Sequence, residues 1–152
     1  ISAETTIRLS QIPNIVATKE ASGDLDTMAT IIAETDSNFS LYSGDDSLTL
    51  PILSIGGIGV VSVASHIIGN EMQEMVTNYL KGNVHEAASQ HRQLLPVMKA
   101  LFTAPSPSPV KAALSMKGLS VGSVRLPLVP LSEEERLQLQ NVIYPEMSYN
   151  VG

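Results

Sequence analysis

The chain has 152 residues, 43% of them hydrophobic, 16% charged and 4% aromatic, with a net charge of −6 and neither Trp nor Cys. That length fits one ordinary domain with ample core material, while the acidic balance, the lack of any Lys/Arg run and the scarcity of aromatic rings argue against duplex and single-stranded nucleic-acid partners. The missing cysteines exclude disulfides and thiolate metal sites and suit a reducing, cytoplasmic compartment; no apolar run approaches the ~18 residues of a membrane helix, and no signal peptide is visible.

The first twelve residues, "ISAETTIRLSQI", carry no initiator Met and no capping signal. Ile7, Leu9 and Ile12 read as the tail of a helix already under way, as if the start were cut inside a larger protein. Residues 15–19 (Ile-Val-Ala-Thr-Lys) are apolar and β-branched between Pro13 and Gly23, which predicts a buried strand. Ser22-Gly23-Asp24 then makes a turn with Asp24 as N-cap. Leu25, Met28, Ile31 and Ile32 recur at helical spacing to about Glu34. Residues 39–43 predict a second strand, closed by Gly44. Asp46 or Ser47 caps a helix bearing Leu48, Leu50, Ile52, Leu53 and Ile55, stopped by Gly56-Gly57. Residues 59–63 predict a third strand. A helix with Met72, Met75, Val76 and Tyr79 follows, ending near Gly82.

This βαβαβα order predicts parallel strands joined by right-handed crossovers, apolar on both faces. From residue 83 the alternation stops. "VHEAASQHRQLLPVMKALF" predicts a long helix with a possible kink at Pro96. A Pro-rich turn leads to a helix with Ser108 as N-cap and Pro109 at its first position. "RLPLVP" predicts an extended stretch, and Ser132 with Glu135 a capping box. Three parallel strands alone leave an open apolar edge. The α/β pattern therefore reads as the C-terminal portion of a TIM barrel, three βα units in residues 1–82. A three-helix appendage in 83–146 and a tail in 147–152 complete the chain. A full barrel runs to ~250 residues.

Alternation along the first strand puts Ile15, Ala17 and Lys19 on one face and Val16 and Thr18 on the other. If that first face looks into the barrel, Lys19 stands at the strand's C-terminal end, where barrel active sites are built. Burial of an ammonium favours the free amine, a nucleophile able to form a Schiff base with a carbonyl substrate. A snorkelling lysine, or one paired with Glu20 or Asp24, fits the same pattern, which leaves both readings open.

"KEASGD" after an apolar strand, "YSGDD", "GGIGVVSV", "PSPVKAAL" and "RLPLVP" resemble, in order and spacing, the dihydrodipicolinate synthase family. The resemblance covers residues 1 to about 143, the family's C-terminal half. It implies a pyruvate-dependent lyase of lysine and diaminopimelate biosynthesis, usually a homotetramer of barrels with C-terminal helices. Lys19 matches the lysine that condenses with pyruvate; the resulting enamine attacks aspartate semialdehyde. Gly44 and Val61 match positions lining the substrate pocket. No cofactor and no metal are implied. The family's catalytic tyrosine, pyruvate-binding threonines, carboxylate-binding arginine and lysine-feedback site match nothing from residue 1 onward; neither Tyr42 nor Tyr79 falls at the right place. The chain therefore implies a homo-oligomer, or a pairing with an N-terminal half that supplies those groups.

Other signals point to less. "GGIG" (56–59) follows a helix and precedes a strand, the reverse of phosphate-binding loops. His66, His85 and His91 lack metal-ligand spacing. Asp45-Asp46 suits a helix cap better than a cation site. Glu133-Glu134-Glu135 is a first turn favoured by the helix dipole, and Met72, Met75 and Met98 are expected in the core. Three alternatives to the leading reading stand. The first is a related pyruvate aldolase such as an N-acetylneuraminate lyase. The second is a fragment without turnover, and the third a phosphate-binding half-barrel with phosphate near Ser43 and Ala64.

Overall fold

The computed structural model describes residues 1–145, so the expected tail lies outside the described residues. In chain order the elements are α1 (Ala3–Ser10), β1 (Ala17–Glu20), α2 (Leu25–Glu34), β2 (Ser40–Ser43), a 3-10 turn (Asp46–Leu48), α3 (Thr49–Ser54), β3 (Gly59–Val60), α4 (Ser65–Leu80), α5 (Val84–Ala100), α6 (Ser108–Met116) and α7 (Glu133–Ile143). The strands form one sheet in the order β1-β2-β3, both pairs parallel. Among the described residues no helix is long and apolar enough to cross a membrane.

The chain divides into two compact units. The first comprises residues 1–62 and 74–88, the second residues 63–73 and those from 89 on. The first unit holds the sheet. Its core is Met28 and Ile31 from α2, Leu41 from β2 and Ile52 from α3, with Leu25, Ile32, Phe39, Leu48 and Ile55 packed around them. Leu25, Met28, Ile31 and Ile32 recur at helical spacing in α2, so one stripe of that helix faces the sheet. Asp24 caps α2, its carboxylate accepting from the amides of Asp26 and Thr27. Gly23 ahead of it has a φ of 83°, a left-handed conformation that suits glycine.

Helix α5 continues through Pro96 without a break, and in the second unit Met98, Leu101, Val110, Ala113 and Leu139 are buried. The capping box at the start of α7 is complete. Ser132 accepts from the Glu135 amide, and Glu135 accepts from the Ser132 amide. Met72, Met75 and Met98 are all buried.

Several local expectations are corrected. α1 begins within the chain: Ser2 caps it by accepting from the Thr5 amide, a signal the short opening concealed. Asp45 rather than Asp46 or Ser47 closes the turn before α3, accepting from the amide and hydroxyl of Ser47. Ser108 lies inside α6, and its buried hydroxyl donates to the Val129 carbonyl instead of capping. "RLPLVP" turns, with the Leu128 amide on the Arg125 carbonyl. The regular strand β3 covers Gly59–Val60 only. β1 is not the buried strand expected: within Ala17–Glu20 the one buried residue is Glu20, and Val16 just ahead of the strand is 62% exposed.

Two measurements test this packing. Ile52 is fully buried among Met28, Ile31 and Leu41; Ile52→Ala is expected to cost about 2–5 kcal/mol in urea unfolding through lost burial and the cavity left behind. Asp24 is held below its ordinary value of 3.8, first by the Thr27 hydroxyl and then by the Thr27 amide. Glu135 is held below 4.5 by hydrogen bonds from Ser132, the backbone amide first. A carboxylate with a depressed folded value stabilises the fold above its unfolded value and loses that contribution as pH falls through the folded one. Melting temperatures of Asp24→Ala and Glu135→Ala are therefore expected below the parent at neutral pH, with the gap closing on acidification beneath those ordinary values. A gap that stays constant with pH would refute the capping assignment.

Candidate functional site

The register of the sheet decides which side chains share a surface. Thr18 pairs with Leu41 and Glu20 with Ser43. Leu41 and Ser43 are buried, and Leu41 belongs to the helix-packed core. This is the face covered by α2 and α3. Lys19 pairs with Tyr42, and Tyr42 with Gly59, so these three lie level on the opposite face. Lys19 is exposed there. The apolar enclosure expected around its amine is thus not supplied by the described residues.

Two backbone hydrogen bonds hold the C-terminal ends of the strands, and a third ties the start of β3 to β2. The Gly44 amide donates to the Glu20 carbonyl at 2.7 Å, the Val61 amide to the Ser43 carbonyl at 2.8 Å and the Ile58 amide to the Leu41 carbonyl at 3.0 Å. Lys19, Gly44 and Val61 therefore stand at the same edge of the sheet, one on each strand end. Lys19 and Gly44 are brought together: the Lys19 stem crosses directly over the Gly44 backbone. Val61, half exposed, lies on the neighbouring strand end. Tyr42 lays its ring beside Gly59, where a Cβ would stand 3.3 Å from Cδ1 and Cε1.

Glu20 escapes a reading of the sequence. Its side chain turns to the covered face, and its carboxylate accepts from the Ser22 amide at 2.7 Å. A buried carboxylate is costly unless hydrogen-bonded, and this bond pins the loop that follows Lys19. The signal was present in "KEASGD": an acid on the covered side of a strand, two residues before an amide needing a partner. The next loop closes in the same manner. The Ser43 hydroxyl, fully buried, donates to the Asp45 carbonyl at 2.6 Å and accepts from the Asp45 amide.

The glycine cluster has no anion-binding geometry. The amides of Gly56 and Gly57 donate to Leu53 and Ile52 at the end of α3, and that of Ile58 joins the strand ladder. Among the described residues, no group of three or more His, Cys, Asp or Glu side chains stands close enough to hold a metal ion. In the second unit, Met116, Lys117, Arg136, Gln140 and Tyr144 line an open depression of about 670 Å³; it shares no residue with the Lys19 edge.

Comparison with known proteins identifies relatives. The model of the dihydrodipicolinate synthetase family matches residues 1–145. The chain is 64% identical to the 4-hydroxy-tetrahydrodipicolinate synthase of Bacillus velezensis over 143 residues, which is 94% of this chain and 50% of that protein. It is equally 64% identical over 152 residues to 4-hydroxy-tetrahydrodipicolinate synthase 1 of Halalkalibacterium halodurans, covering all of this chain and 52% of that protein. The crystal structure of a dihydrodipicolinate synthase from Bacillus anthracis superposes with a TM-score of 0.90 at 57% identity, over 94% of this chain and 49% of that one. A dihydrodipicolinate synthase from Cyanidioschyzon merolae, solved with lysine bound, gives 0.91 at 49% identity, over 93% and 48%. The chain spans about half the length of the curated relatives it matches.

Proposed function

Because the chain belongs to the dihydrodipicolinate synthetase family, we propose that it carries the nucleophile of a cytoplasmic lyase that joins pyruvate to aspartate semialdehyde in lysine and diaminopimelate biosynthesis. The observation that carries the reading is the position of Lys19. It ends a parallel strand on the face away from the helices, with Gly44 and Val61 on the adjacent strand ends.

In the proposed reaction the Lys19 Nζ attacks the keto carbon of pyruvate. Water leaves, and an imine forms. Loss of a methyl proton gives the enamine, whose carbon attacks the aldehyde carbon of the semialdehyde. The semialdehyde's amine then closes the ring onto the imine carbon and releases Lys19. Gly44 and Val61 line the pocket that receives the pyruvate. The three strands are consecutive strands of an eightfold barrel within residues 1–82, and the helices of 83–146 are an appendage to it. The exposed face of Ala17, Lys19, Tyr42 and Val61 is the barrel's interior, covered by strands from the remaining half. That half also brings the groups that bind the pyruvate carboxylate and move protons, and the whole assembles as a homo-oligomer.

A related aldolase taking another aldehyde uses the same lysine, so the choice of aldehyde is the second reading. A phosphate-binding role is disfavoured, because the Ser43 hydroxyl and the amides of the glycine cluster are already committed within the loops.

In a complete barrel containing this sequence, pyruvate and borohydride are expected to leave a covalent adduct on Lys19, seen by peptide mass. Lys19→Ala should abolish both the adduct and product formation. The 152-residue chain alone should trap little, since it forfeits positioning worth ~10⁵ M or more in effective concentration and acid–base help worth ~10²–10⁴-fold. Turnover by this chain alone at the rate of a full enzyme would overturn that division. Assembly gives a second test. The open sheet face exposes apolar surface at ~25 cal/mol per Å², so this chain alone is expected to self-associate or to pair with a complementary half. A monodisperse monomer with one cooperative melting transition would contradict it.

A further inference from the structure

We propose that Gly44 is a positioning residue for Lys19: its missing Cβ leaves the space through which the lysine stem runs, so the glycine acts on the nucleophile and not on the substrate. This inference rests on the Schiff-base reading above and gives Gly44 a different task within it.

Glycine is usually required either by a left-handed backbone or by lack of room. The first reason is absent at Gly44, which is not among the glycines with positive φ. The second is strong. A Cβ built on Gly44 would lie 2.8 Å from Lys19 Cε, 3.1 Å from Lys19 Cγ and 2.7 Å from Ala21 Cβ. Two of those three atoms belong to the lysine itself.

The surrounding backbone has little freedom to give way. The Gly44 amide is bonded to the Glu20 carbonyl at 2.7 Å. The residues on either side of it are tied by the two hydrogen bonds between Ser43 and Asp45. Ala21 follows the buried Glu20, whose carboxylate holds the Ser22 amide. Gly44 and Ala21 thus form two fixed walls, and the Lys19 methylenes lie against the first. A methyl group on Gly44 would press on both Ala21 and the lysine stem, and the stem is the part able to move. Its amine would swing off the line set by the strand. A displacement of about 1 Å at a reacting atom costs ~10²-fold in rate.

The test uses Gly44→Ala and the double variant Gly44→Ala/Ala21→Gly. The double variant removes the rigid contact with Ala21 and keeps the one with Lys19, so it serves even if the single variant folds poorly. In the complete barrel, borohydride trapping is followed against pyruvate concentration. The expected result for both variants is a limiting trapping rate lower by ~10²-fold, with half-saturating pyruvate little changed. A raised half-saturation with an unchanged limiting rate would assign Gly44 to the substrate and overturn the proposal. So would full recovery in the double variant, which would make Ala21 the only group the glycine accommodates. A second arm needs no pyruvate chemistry. Reductive methylation of the 152-residue chain with formaldehyde, mapped by peptide mass, compares Lys19 with Lys81 and Lys99. The Lys19 rate relative to those two should shift several-fold in the double variant; an unchanged ratio would overturn the proposal. If the unaltered barrel gave no pyruvate adduct on Lys19, the Schiff-base reading would fail on that arm, while the methylation arm would still judge the contact.

Discussion

The parallel register between β1 and β2 is the constraint on which the site depends. Lys19 and Glu20 are consecutive, yet one is exposed and the other buried, because a strand sends neighbours to opposite faces. What selects the faces is Leu41. It pairs with Thr18 and is packed among Met28, Ile31 and Ile52, so its side of the sheet must be the covered one. A slip of β1 by one residue would turn the ammonium to the covered face and Glu20 away from it, which makes the register strongly specified. The Lys19 side chain is thus oriented by a core to which it contributes nothing.

Burying Glu20 is the cost of that alternation, and it is offset locally. The carboxylate holds the Ser22 amide, and the Glu20 carbonyl receives the Gly44 amide. The residue after the lysine therefore ties down the loop on its own strand and the strand end beside it. Ser43, its register partner, closes the next loop through Asp45. Two adjacent strand ends are fixed from the covered face, leaving the opposite face free for the lysine stem and whatever it meets. A reactive group needs such support from residues whose own positions are locked.

Much of this was legible in the sequence because it is local. Helical spacing over Leu25–Ile32 marks α2; Asp24 before it marks the cap, and Ser132 with Glu135 the capping box. Apolar, β-branched runs between helical ones mark the three strands. The misses have separate physical causes. Ser108 looked like a cap, but its hydroxyl is taken by Val129, distant in the chain. Asp45 and Asp46 are equivalent as letters, and only the turn geometry gives Asp45 to Ser47. Ser2 was too near the first residue to stand out as a cap. At the site, the pattern placed Lys19 at a strand end but could not say that its stem runs over Gly44, since that contact crosses strands.

The same distinction bears on a chain that spans about half the length of its curated relatives. In a sheet of parallel strands, what orients a side chain is its own strand, the neighbour it pairs with and the helices packed behind. All of these are present for Lys19. In the proposed barrel, what surrounds the side chain on the other face comes from strands further around; here that face is exposed, with Val61 half uncovered. Direction and environment are therefore separable properties of one residue, carried by different stretches of polypeptide. Direction is set within a short span by backbone hydrogen bonds and a small core. Environment, which governs how readily an amine sheds its proton and how well a substrate is held, is a long-range product of closure. In the proposed enzyme the nucleophile is thus aimed by one stretch of chain and enclosed by another.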